Sequence, residues 1–153
     1  MKRPLFAVFF CLCSVFVFAQ DGALRKKHFN LDEGLALSGY DAVAYINQSK
    51  ALKGNRNFAV THDGITYYFA TAANKEAFGK DPARYEPAYG GWCAYAMGSN
   101  GEKVSVDPKT FKIVDGKLNL FYNKFFNNTL EDWNKDESSL KKKAAINWQK
   151  VFD

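Results

Sequence analysis

The chain has 153 residues, of which 47% are hydrophobic, 16% aromatic and 24% charged, enough for one globular core and too apolar for a disordered chain. Its net charge of +5 is not gathered into a dense basic stripe, which argues against a nucleic-acid partner. Collagen-like, disulfide-framework and polytopic membrane classes are excluded by the same composition.

Met1-Lys2-Arg3-Pro4 is a short positive start, and residues 5–18 form an apolar run that ends in Val17-Phe18-Ala19 before Gln20. The run is too short for a membrane span of roughly 20 residues, and small side chains stand three and one positions before the expected cut. Residues 1–19 therefore read as a cleaved secretory signal. The mature chain would be periplasmic or extracellular, with no stable membrane insertion. Lys2 and Arg3 leave with the signal, lowering the charge from +5 to +3. Cys11 and Cys13 leave too, so Cys93 becomes a lone thiol in an oxidising compartment, with neither a disulfide partner nor a CxxC pair.

Residues 20–27, with Arg25-Lys26-Lys27, read as a flexible polar lead-in. Ser38-Gly39-Tyr40-Asp41 is a turn signal, and Val43, Ala44, Tyr45 and Ile46 form a short apolar strand candidate. Phe58 to His62 and Ile65 to Phe69 flank Asp63-Gly64, which tolerates the positive φ angles of a tight hairpin turn. Thr71 is placed to cap a helix over Ala72 to Lys80, which Asp81-Pro82 closes. Val104 and Val106 suggest a further strand. A second hairpin is expected around Asp115-Gly116-Lys117, between Phe111-Lys112-Ile113-Val114 and Leu118 to Tyr122. Phe126, Leu130 and Trp133, then Leu140, Ala144, Trp148 and Val151, mark the apolar faces of two final helices. Lys141-Lys142-Lys143 reads as the solvated side of the last one. The expected fold class is α+β: a small antiparallel sheet from two β-hairpins, packed with a short helix, a Cys-bearing helix and two C-terminal helices.

The stretch Gly64-Ile65-Thr66-Tyr67-Tyr68-Phe69-Ala70-Thr71, continuing through Phe78, Asp81-Pro82 and Tyr85, resembles the YHS domain. Ser38-Gly39-Tyr40-Asp41-Ala42-Val43-Ala44-Tyr45 and Tyr89-Gly90-Gly91-Trp92-Cys93-Ala94-Tyr95-Ala96 are similar to its exported, stand-alone bacterial branch. The resemblance implies a single YHS-like domain over residues 28–153 and an association with metals, copper among them. One departure bears on that. Where metal-associated members carry Phe-Cys-Ser-x-x-Cys, this chain has Phe69-Ala70-Thr71-Ala72-Ala73-Asn74, so Ala70 and Asn74 replace the soft ligands. Any soft metal would then depend on Cys93.

Cys93, after Gly90-Gly91-Trp92, reads as a residue of a first helical turn, where unpaired amides favour a thiolate nucleophile or ligand. The competing reading is a buried small side chain beneath the glycines. Met97, four residues on, and His62, at the hairpin tip, would complete a Cys93–Met97–His62 copper site; otherwise they are a core methionine and a turn histidine. His28 reads as a surface residue. Tyr40 and Asp41 offer a phenol and carboxylate to a ligand, or a local cap and a packed ring. Tyr85, Tyr89, Trp92 and Tyr95 either line a pocket or fill a small core. The function expected from these residues is a non-enzymatic module binding a soft metal or small molecule at Cys93 and Gly90-Gly91, facing Tyr40-Asp41. The alternatives are a thiol-dependent enzyme or redox sensor using Cys93, and a structural or partner-binding domain.

Overall fold

The structure, a computed structural model, describes residues 15–153, with side chains from Gly22 onward. Most of the segment read as an export signal lies outside the described residues, and among them no helix is long and apolar enough to cross a membrane. The fold is α+β, as expected.

Helix α1 (Val15–His28) takes in the segment expected to be a flexible lead-in. That expectation rested on polarity, yet Arg25 lies against the Phe29 ring at 4.6 Å and pairs with Glu86, so the segment is held. Strands β1 (Leu31–Asp32) and β2 (Leu35–Ala36) follow, then a 3-10 turn over Leu37–Gly39 and helix α2 (Ala42–Gln48). A strand was expected at Val43 to Ile46, and α2 is the correction. A short apolar run is ambiguous between buried strand and buried helix; Asp41 decides it by accepting from the Val43 and Ala44 N–H groups at 2.8 and 3.0 Å.

Strands β3 (Asn55–His62) and β4 (Ile65–Phe69) form the first hairpin about Asp63-Gly64, whose φ angles are +44° and +80°. Along β4 the alternation is clean: Ile65, Tyr67 and Phe69 are buried. Helix α3 (Ala72–Lys80) starts on the Thr71 hydroxyl, which accepts from Asn74 N–H, and the next residue, Asp81, caps helix α4 (Pro82–Tyr85). A second 3-10 turn (Ala88–Gly91) leads into helix α5 (Ala94–Ser99).

Strands β5 (Asp107–Val114) and β6 (Lys117–Phe121) form the second hairpin, turning on Asp115-Gly116. The hairpins do not merge into one sheet. The first belongs to a four-stranded sheet of order β1-β2-β4-β3 with a parallel β2–β4 pair, and the second stands as its own ladder. No strand forms at Val104 or Val106; the Val104 carbonyl instead accepts from Cys93 N–H at 2.9 Å. Strands β7 (Asn123–Lys124) and β8 (Asn127–Asn128) make a miniature hairpin before helices α6 (Thr129–Lys135) and α7 (Glu137–Gln149). Phe126, expected on the face of α6, precedes that helix and is exposed.

Two apolar clusters result. One joins Tyr45, Ile65, Tyr67, Phe69 and Phe78 to Leu118 and Leu120; the other holds Ala94, Phe121, Trp133 and Leu140. Strand alternation explains the division, since Leu118 and Leu120 share one face of β6 and Phe121 points from the other. Helix α5 lies so close to α7 that a Cβ at Gly98 would stand 2.6 Å from the Leu140 carbonyl oxygen.

Candidate functional site

Asp41 is wholly buried, at 0% exposure. One carboxylate oxygen caps α2, and the other accepts from the Ala70 backbone N–H and the Asn74 side-chain amide, both at 2.7 Å. Four N–H donors thus converge on one carboxylate, joining the start of α2 to the end of β4 and the first turn of α3. Ala70 and Asn74 are the two positions at which the YHS pattern places cysteines. Here they hold a hard acceptor through N–H groups, and nothing in that arrangement suits a soft metal. Tyr40 packs locally, with the Lys53 ammonium 4.4 Å above its ring.

Cys93 is also at 0% exposure and stands just before α5 rather than inside its first turn. Its sulfur lies 3.3 Å from the Thr129 hydroxyl and accepts from Tyr122 N–H at 3.4 Å, while that hydroxyl donates to the Tyr122 carbonyl at 3.0 Å. The Cys93 sulfur, the Thr129 hydroxyl and the Tyr122 backbone thus close a local ring of polar contacts within the protein. Met97 is buried in the same region. His62 is held elsewhere, edge-on to Phe78 and beside Asp63 on the first hairpin. Among the described residues no three His, Cys, Asp or Glu gather where a metal would sit. Of the expected Cys93–Met97–His62 copper ligands, the structure buries the two sulfur-bearing residues and sets the imidazole on the first hairpin.

The aromatic residues near Gly90-Gly91 do not line one pocket. Tyr85 is core, and the Trp92 indole donates to the His28 carbonyl at 2.6 Å. Tyr95 borders a cavity of about 290 Å³ beside Cys93, and Tyr89 borders a different cleft of about 540 Å³. Nor does the Tyr40-Asp41 loop face the glycines; it closes on Lys53, Ala70 and Asn74.

The larger cleft is where the structure brings chemistry together. Tyr89 and Gly90 form one side with φ angles of +51° and +59°, and Trp148 from α7 and Phe29 form the apolar wall. Gly90 is required there: a Cβ would stand 2.7 Å from the Trp148 ring. Gly91, at φ +84°, would meet only ordinary contacts, so its conformation alone calls for glycine. Three cations border the cleft. Arg25 pairs with Glu86, which also accepts from the Tyr67 hydroxyl at 2.8 Å; Lys141 pairs with Asp115; and Lys117 donates to the Ala83 carbonyl. The Arg25 Nε is buried and has no hydrogen-bond partner. Burial raises the Tyr89 phenol above its ordinary pKa, which keeps it a neutral hydroxyl.

Sequence reasoning reached Gly90 and Tyr89 but missed Phe29, Arg25, Lys141 and Trp148 as wall residues. The available signal was thin: Lys141 lay in a run read as solvated, and Trp148 on a face read as core. Comparison with family models, with curated proteins and with solved structures finds no match to this chain.

Proposed function

We propose that the chain is an exported, YHS-like, non-enzymatic binding module, and that its ligand is a small organic acid with a flat apolar body, taken in the cleft behind the Gly90 turn. The observation that supports this is the cleft itself. Its volume of about 540 Å³ falls within the range of small-molecule sites, roughly 300–1,000 Å³, and it sets aromatic walls beside a cationic rim. Phe29 and Trp148 would hold the flat body. An acid group would lie against the cationic rim formed by Arg25, Lys117 and Lys141. Cys93 is read as structural, since its thiol is enclosed and bonded within the protein.

The test uses an aromatic sulfonate, 1-anilinonaphthalene-8-sulfonate, as the probe. Saturable binding near one per chain is expected, weakened at least tenfold by Arg25→Gln and by Ala145→Trp, which fills the cleft from the exposed face of α7. Binding that Ala145→Trp leaves unchanged would place the site elsewhere. Absence of saturable binding in the folded wild type would remove the reading.

A further inference from the structure

The β7–β8 hairpin pairs Asn123 with Asn128 and Lys124 with Asn127, which leaves Phe125 and Phe126 as its two turn residues. Both adopt left-handed backbone conformations, with φ of +51° and +68°. Two-residue turns of this hand are built from Asn-Gly or Asp-Gly, because a bulky side chain is strained there. Among the described residues the other two-residue hairpin turns, Glu33-Gly34, Asp63-Gly64 and Asp115-Gly116, all place glycine second. Packing does not compensate for the strain at the tip, because Phe125 is 89% exposed and Phe126 fully exposed. Strain of this kind persists where the surrounding structure fixes it, and it concentrates at functional sites.

The surrounding structure does fix it. The Asn123 amide donates to the Thr110 hydroxyl at 3.0 Å, Thr129 N–H donates to the Tyr122 carbonyl at 3.0 Å, and Asn128 caps α6. The hairpin base is therefore tied to β5 and α6 while its two rings project. Around them stand Asn123, Lys124 and Asn127, all exposed and polar. The apolar surface is a knob and not a face. A stable protein interface needs about 800 Å² from each partner, and the polar collar offers no such continuation. A bilayer surface needs none, because lipid deforms around a knob. Lys124 beside the rings, on a chain of net positive charge, complements anionic headgroups.

We propose that Phe125-Phe126 is a membrane-surface anchor: the two rings enter the boundary between headgroups and acyl chains of an anionic bilayer, with Lys124 at the level of the phosphates. With only two rings and one adjacent lysine, attachment is peripheral and reversible. The full chain is compared in three forms, wild type, Phe125→Trp, and the double variant Phe125→Asn with Phe126→Gly, on phosphatidylethanolamine–phosphatidylglycerol vesicles carrying brominated acyl chains. Every form keeps the same N-terminal segment, so differences between them report the hairpin tip. In the Phe125→Trp form the added fluorescence should be quenched by the brominated lipid. The double variant should bind the vesicles at least tenfold less tightly while its thermal midpoint rises, because Asn-Gly suits the turn. Absence of quenching, or vesicle binding equal in wild type and double variant, overturns the anchor. So does a midpoint that falls, since the strain would then not be real. Self-association of the wild type that the double variant abolishes, without any vesicle effect, assigns the knob to a second copy of the chain and overturns the bilayer.

Discussion

Asp41 accepts four N–H bonds, and three of the donors are backbone amides. The residue stands in the Gly-Tyr-Asp stretch, which by sequence offers a carboxylate to a ligand as readily as to a local turn. The fold settles its surroundings: both oxygens are spent on α2, β4 and α3. Asp41→Ala should therefore cost about 3 kcal/mol or more, because buried amides lose a charged acceptor and gain nothing. Asp41→Asn should retain the α2 cap through its carbonyl and lose the bonds to Ala70 and Asn74, costing about 2 kcal/mol. Denaturant midpoints of the two variants check the order. A smaller loss for alanine than for asparagine would contradict the four-donor account.

At the scale of elements, two hairpins, the Thr71-capped helix and the last helix were legible because local chemistry fixes them. Asp-Gly turns, a Thr cap and a 3.6-residue apolar repeat act within a few residues. Val43 to Ile46 was not legible, because a four-residue apolar run fits either a buried strand or a buried helix and only the Asp41 cap separates them. Helix packing was equally hidden. Nothing local marks Gly98 as the point where α5 meets the α7 backbone, yet Gly98→Ala sets a Cβ 2.6 Å from the Leu140 oxygen. That substitution should destabilise by about 2 kcal/mol despite alanine's better helix propensity. Gly79→Ala in α3, where a Cβ meets nothing within 4 Å, should instead stabilise by up to about 1 kcal/mol. Thermal melts of the pair should move in opposite directions, and parallel shifts would argue against the close approach.

Over the whole molecule, His28 joins three distant parts of the chain. It ends α1, its Nδ1 accepts from Lys103 at 2.8 Å, its carbonyl accepts from the Trp92 indole, and its ring lies edge-on to Phe152. Partial burial, then the charges of Lys103 and Lys27, hold its pKa below the ordinary 6.5. The unfolded chain therefore takes up a proton before the folded one does. Stability from this junction is present above pH 6.5 and is lost as pH falls through the lowered folded value, where an imidazolium would face the Lys103 ammonium. His28→Gln keeps an acceptor but does not titrate. The fall in denaturant midpoint between pH 7.5 and pH 5 should be larger in wild type than in this variant, and equal falls would remove His28 as the cause.

The sequence by itself determined the α+β class, both Asp-Gly hairpins, and the cap and closure of α3. Each rests on interactions between neighbours in the chain, which composition and spacing display. Only the tertiary structure decided that Cys93 is enclosed by Thr129 and Tyr122, that His62 packs edge-on to Phe78, and that Arg25, Phe29 and Trp148 meet across a cleft. Those contacts join residues tens of positions apart. Whether a polar or aromatic side chain becomes wall, core or cap there depends on which element packs opposite it, and no local pattern carries that information.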